Sequence, residues 1–353
     1  MTNKNLLVSV VIVLLILAVA GAYLSQNNNE EPVKKAQNSN DKLNVDNALK
    51  AEKPTIKANV NKDCAGTPWF VGQQKGFFEK AGINFVDQGH LDWAQQPSAL
   101  ISGQTNVADA HPNSIINLLK EGAKVKGVVA GGDEPPEGDI AHEHMHWLVL
   151  ENSSLQEAKD ILKTGKKIKI AVGAFGICAD LETNDWLRQN GIPGDKVELV
   201  IIPDPQQEQA LRQGLIDVAV LHPPFYTAAE EHGGVRILVS SRKVFGDAAG
   251  ITLLYFTEDF IKNNPDAVRK FIRGYKNSER WSNDNPVESA AITAKEIGLE
   301  KSTVHFYNDT GEIDKNKIQK WIDAMVKDGI IKQGEYTPDD LYTDQFKDEW
   351  ILK

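Results

Sequence analysis

LISGQTNVADAHP, residues 100–112, and LRQGLIDVAVLHP, residues 211–223, match in register at Leu, Gly, Val, Ala, His and Pro. Each copy reads as the end of a helix, a glycine at its C-terminus, a short buried strand and a His-Pro where that strand stops. Helix-Gly-strand turns look alike across α/β proteins, so only the paired His-Pro lifts the match above that background. Two similar lobes are expected. Ligands of open α/β sheets sit beyond the carboxyl ends of the strands, so facing lobes would aim His111 and His222 into one cleft.

Composition sets the outer bounds. The chain has 353 residues, 41% hydrophobic and 25% charged, enough for a full core and two domains. A net charge of −10 without a basic stripe argues against a nucleic-acid partner. After Lys4 an apolar run extends over residues 6–24, close to the ~20 residues that span a bilayer. It reads as a signal peptide or a signal anchor. Ala18-Val19-Ala20 would serve as a cleavage site. The length of the run and the polar tether over 25–54 favour an uncleaved anchor, and either way the body lies outside the cytoplasm.

From about Thr55, apolar runs alternate with helical patterns. Strands are expected at 56–60, 84–87, 107–110, 126–130, 147–150, 168–172, 198–202, 218–221, 236–239 and 251–256. Helices at 68–80, 95–101, 114–121, 154–163, 179–190, 206–213 and 224–231 separate them, which implies parallel sheets. After Glu258 the pattern is helical, with Asn264-Pro265 and Asn285-Pro286 as helix starts and Gly298 as a stop.

Further stretches carry a family resemblance: PWFVGQQKGFFEKAGINFV at 68–86, LKTGKKIKIAVGAFGICAD at 162–180 and FIKNNPDAVRKFIRGYKNSERWSNDNP at 260–286. With the two repeats, their order and spacing resemble extracytoplasmic solute-binding proteins of ATP-driven (ABC) importers of the nitrate, sulfonate and taurine type, relatives of the pyrimidine-precursor binders of the thiamine pathway. The resemblance covers roughly residues 55–346. It implies a type II periplasmic-binding-protein fold, with two α/β lobes of mixed, parallel-rich sheets joined by two crossing strands and a helical C-terminal tail. Lobe one would hold 55–145 plus 250–353, and lobe two 146–249. It also implies a monomer that closes on a small solute and delivers it to a permease with a cytoplasmic ATPase, with no cofactor required.

The loops that such proteins use at the cleft can be read residue by residue. Asp63 to Thr67 precede the first helix, with Thr67 as the expected N-cap; His111, Asn113 and Ser114 follow the third strand. Gly176 and Cys178 open a helix of lobe two, and His222 to Tyr226 end its returning strand, which brings in Phe225. None of these loops holds the Arg that carboxylate or sulfonate recognition recruits. Residues 131–139 contribute Asp133, Glu134, Glu137 and Asp139 instead, and run into His142, His144 and His146. In an extended stretch these three imidazoles would share one face. Cys64 and Cys178 both fall at expected helix starts, where the helix dipole lowers a thiol's pKa.

Thiolates with imidazoles suit soft metals. The expected ligand set is therefore Cys64, Thr67, His111, Asn113, Gly176, Cys178, His222 and Phe225, with Cys64, Cys178, His111, His222, His144 and His146 as metal ligands. The metal would be cargo: a soft ion, a metal complex or an organometallic species. Three other readings stand beside it: a receptor for an organic anion or heterocycle, an extracellular metal buffer, and simple hydrogen bonding by His111 and His222. A disulfide between the two cysteines would pin the lobes together, so two free thiols are favoured. No P-loop, HExxH or Gly-x-Ser-x-Gly is present. Nor is there the dense cysteine motif of the pyrimidine-forming enzymes of this fold, so no catalysis is expected.

Overall fold

In both copies of the repeat a helix stops at a left-handed glycine and a buried strand follows. The helix Gln96–Ile101 leads to Gly103 (φ 76°), and the helix Asp204–Arg212 to Gly214 (φ 70°). At the second, Gly214 N–H donates to Leu211 O and Leu215 N–H to Ala210 O, the two bonds of a Schellman ending. The structure, a computed structural model, describes residues 52–92, 95–303 and 305–350. The apolar run and nearly all of the tether expected at 1–54 lie outside the described residues. Among the described residues no helix is long and apolar enough to cross a membrane.

Ten strands are present among the described residues: β1 Thr55–Ala58, β2 Asn84–Asp87, β3 Val107–Ala110, β4 Val125–Ala130, β5 His146–Leu150, β6 Ile168–Val172, β7 Val197–Ile201, β8 Val218–Leu221, β9 Val235–Ser240 and β10 Leu253–Thr257. Each overlaps an expected strand. They form a β1-β2 pair, a three-stranded sheet ordered β3-β10-β4 and a five-stranded sheet ordered β7-β6-β8-β5-β9. The five-stranded sheet takes all its strands from residues 146–240; the three-stranded sheet draws on both flanks and the β1-β2 pair on the N-terminal one. β3 and β8, the repeat strands, are buried along their whole length, as the unbroken apolar runs require.

Only the five-stranded sheet is mixed; the β1-β2 pair is parallel and the three-stranded sheet antiparallel, where parallel sheets were expected. β1-β2, β6-β7 and β6-β8 are parallel, but β10 runs antiparallel to β3 and β4, and β5 antiparallel to β8 and β9. β5 and β10 are the strands that enter from the other half of the molecule, without the crossover helix that makes neighbours parallel. The expected crossing strands are connecting segments, 131–145 and 241–252, that lie side by side. Gly131 N–H donates to Thr252 O (2.9 Å), Thr252 N–H to Gly132 O (3.2 Å) and Ser241 N–H to Met145 O (2.9 Å). The Ser241 hydroxyl donates to Glu134 Oε1 at 2.7 Å.

Helices differ more from expectation. The stretch 68–80 is two helices, Thr67–Gln74 and Phe77–Lys80, because Gly76 adopts φ 71° and breaks the run. The stretch 154–163 is a 3-10 turn, Ala158–Lys163. The tail is helical, and its long member Pro265–Asp284 packs on the opening helices. Trp69 meets Tyr275 and Phe271 there, with ring centroids 4.8 and 5.5 Å apart. Burying each such side chain stabilises the fold by about 1.5–3 kcal/mol. A Cβ on Gly72 would come within 2.6 Å of Ser278 Oγ, so glycine sets how closely these helices approach. Further on, Trp321 of the helix Lys315–Lys327 stacks on His111, its centroid 5.1 Å away.

Candidate functional site

Four imidazoles and a thiol converge where the halves meet. His111 ends β3 and precedes the helix Pro112–Lys120; its Nδ1 donates to Ile251 O at 2.7 Å. A carbonyl can only accept, so Nδ1 carries the proton and Nε2 is left for another partner. His222 ends β8, and its Nδ1 donates to Asp204 Oδ2 at 2.7 Å. Its Nε2 lies 3.4 Å from Cys178 Sγ. Cys178 is the first residue of the helix Cys178–Gln189.

His144 comes from the connecting segment. Its ring centroid is 4.7 Å from that of His111, 4.8 Å from that of His222 and 5.5 Å from that of His305. It is only 3% exposed, yet neither ring nitrogen has a hydrogen-bond partner among the described residues. Buried polar atoms almost always have partners, and leaving one without costs about 1–3 kcal/mol. Nδ1 of buried His305 has no partner among the described residues either. One ligand atom each from His111, His144 and Cys178 lies within 4.8 Å of the others. Zinc bonds of about 2.0–2.3 Å put tetrahedral donors roughly 3.3–3.8 Å apart. The three groups would close in by about an ångström on an ion.

The electrostatics set the protonation states of the donors. Burial, then the charges of His111, His222 and His305, hold His144 well below the usual histidine range, and burial takes His305 to about 3. Both are thus neutral bases with lone pairs at physiological pH. Burial works against the Cys178 thiolate, but the charges of and hydrogen bonds from His111 and His222 outweigh it and hold the thiol at about 6. Burial also opposes the His222 imidazolium, which Asp204 and Cys178 nonetheless raise well above the normal value. Around this centre burial lifts Asp63 and Asp109 to about 6 and Glu134 to about 8. Glu182, one turn beyond Cys178, is fully buried with both oxygens unpartnered, and burial raises it far above the carboxylate range. None of the described hydrogen bonds of the four imidazoles and Cys178 involves Arg or Lys.

The other expected residues are placed differently. Cys64 is buried and free, as is Cys178. Its N–H donates to Pro223 O at 3.3 Å, which ties the halves, but its thiol is pushed up by burial, then by Asp63 and Asp204. The 3-10 turn Cys64–Gly66 runs straight into the helix Thr67–Gln74, so Cys64 stands at a helix start as expected, but burial outweighs any lowering there. Thr67 is not an N-cap; its hydroxyl is 2.6 Å from that of Thr293 inside the protein, and Asp63 caps the turn through Ala65 N–H. Asn113 Nδ2 donates to Gly176 O at 2.9 Å, a second tie between the halves. Phe225 packs on the core of the five-stranded sheet.

The expected shared face of His142, His144 and His146 does not form, because Ile140–His142 is a 3-10 turn. His142 pairs with Asp139 at 2.8 Å. His146 is stacked on Tyr226 and has both nitrogens engaged, by Glu230 Oε1 (2.8 Å) and Ile140 O (3.1 Å). Two members of the site were not anticipated from the sequence. Asp204 follows β7 in an Asp-Pro pair, a helix-start signal that gave no hint of its partner. His305 stands in a stretch between tail helices, where alternation with Tyr307 in His-Phe-Tyr was the available signal.

Two sheet-bearing halves, two side-by-side connections and a buried cluster between the halves are the architecture of a two-lobed periplasmic-binding-protein fold, and comparison with known proteins agrees. Residues 49–298 match the NMT1-like family, and the chain belongs to that family. It is 22% identical over 262 residues to a putative binding protein of Brucella abortus, covering 74% of this chain and 76% of that one. Among solved structures it is similar to the ligand-binding component of an ABC-type import system from Staphylococcus aureus, determined with zinc bound. The TM-score is 0.68 at 14% identity, covering 84% of this chain and 99% of that one. The periplasmic nitrate-binding protein NrtA from Synechocystis PCC 6803 is similar at a TM-score of 0.69 and 14% identity, covering 85% of this chain and 88% of that one.

Proposed function

We propose that this protein is the extracytoplasmic solute-binding receptor of an ATP-driven importer, and that its cargo is a soft metal held by His111, His144, Cys178 and His222. The reading is supported by family membership for the receptor role and by one observation for the cargo: the buried His144 ring with two unpartnered nitrogens, facing a thiol and other imidazoles. The lobes would close on the cargo and present the closed form to a permease and its cytoplasmic ATPase. The N-terminal apolar run would hold the receptor at the membrane. The absence of Arg and Lys from the described hydrogen bonds of the cluster disfavours nitrate or a sulfonate as the solute.

The test is metal analysis of the full chain purified anaerobically under reducing conditions, then titrated with zinc(II) and copper(I). Close to one bound metal per chain is expected, with uptake lost in His144→Ala and in Cys178→Ser. No uptake, together with a thermal upshift from an alkanesulfonate, overturns the metal reading and restores the organic-anion one. A second reading rests on the line Asp204, His222, Cys178, which has the order of a nucleophilic triad. Turnover of an activated thioester, lost in Cys178→Ser, would favour it.

A further inference from the structure

A groove of about 690 Å³ opens between the helices Phe225–Glu231 and Pro286–Ile297. The cluster residues His111, His144, Cys178 and His222 are not part of its wall. Three separate stretches of chain nevertheless serve both places. His142, Pro224 and Thr303 line the groove, and two positions from each stands an imidazole of the cluster: His144, His222 and His305. Two residues of chain reach at most about 7 Å. The groove therefore adjoins the cluster along three independent segments.

Its size and chemistry do not suit an ion. A volume of about 690 Å³ is that of a site for a small organic molecule, for which roughly 300–1,000 Å³ is usual. The walls are apolar and built of small residues, including Ala228, Ala291 and Ala294. Thr227 also lines the groove, and its Oγ1 is buried without a partner. Lys295, Lys301, Glu231 and Glu300 also line the groove, and Lys301 sits 3.7 Å from Glu231. Charges of both signs select against a strongly charged occupant.

Resting on the metal reading above, we propose that the cargo arrives as a metal already bound by a small, largely apolar organic chelator. The metal engages the imidazoles and Cys178, and the chelator lies in the groove with the Thr227 hydroxyl as its polar contact. No bond to carbon is made or broken; the cluster fills coordination positions that the chelator leaves open.

The full chain is titrated calorimetrically, without oxygen, with zinc(II) alone and with a 1:1 complex of zinc(II) and 1,10-phenanthroline, an apolar bidentate chelator. The complex is expected to bind at least about ten-fold more tightly than zinc alone, because it buries apolar surface that the ion lacks. Ala291→Trp, at an exposed position of the wall, and Ala228→Leu each fill the groove; both should remove that advantage and leave zinc binding unchanged. Equal affinities for the two probes, or an advantage that survives both substitutions, overturns the chelate inference while the metal reading stands. Failure of both probes to bind overturns the metal reading and this inference with it.

Discussion

The two copies of the repeat share a local fold and part company one hydrogen bond later. In the first, the imidazole after the strand leans on a backbone carbonyl, that of Ile251; in the second it leans on the carboxylate of Asp204. A carbonyl fixes the ring's orientation and tautomer. A carboxylate does that and also stabilises positive charge, which lets His222 hold a thiolate 3.4 Å away. Helix, glycine and strand place the ring, and a residue outside the repeat decides its chemistry.

Substitutions at the two histidines should separate these roles. His222→Ala is expected to weaken soft-metal binding well beyond the roughly 10–100-fold that outer-sphere changes cause, since on the proposed reading it removes a ligand as well as the partner of Cys178. His111→Ala should fall short of it by about ten-fold, because it leaves the thiolate pair in place. Competition titration against a chromogenic chelator reads both, and equal losses would mean the copies are equivalent. Asp204→Asn has no counterpart in the first copy, and about 10–100-fold weaker binding is expected from it.

The same contrast appears in the thiols. With its pKa at about 6, Cys178 in the metal-free protein should alkylate with iodoacetamide at a rate that rises through pH 6 and is level by pH 8. Asp204→Asn weakens the His222 charge, so the midpoint should move up towards that of an ordinary thiol. Cys64, raised by burial, should stay unmodified across this range. Peptide mass spectrometry distinguishes the two. The smallest effect belongs to Asn113→Ala, which removes one hydrogen bond between the halves, worth about 0.5–1.5 kcal/mol. Solute affinity should fall about two- to ten-fold, with little change in the melting temperature of the solute-free protein.

The strands were legible in the sequence because each is a short apolar run bounded by turn residues, and period and punctuation suffice to find such runs. His111, His222 and Cys178 were legible for the same reason: each stands where an element starts or stops. Side chains whose partners are remote in sequence were not. His146 and His144 are two residues apart, yet Glu230 claims one, and nothing in the described residues claims the other. Asp204 and His222 are 18 residues apart, and Cys64 stands at a helix start as expected yet has its thiol raised by burial, which no pattern along the chain reports. Pattern reading finds where a residue sits along an element; it does not find what the fold folds back against it.

His144 lies on neither half proper but on one of the two strips that join them, and that strip is laced to its neighbour by the Ser241 and Glu134 contacts. Cargo clasped by this ring together with His111 and His222 would grip both jaws and the axle at once. Opening would then require the pivot to bend against its own fastening. A receptor built this way would surrender its load only when something pries at the axle.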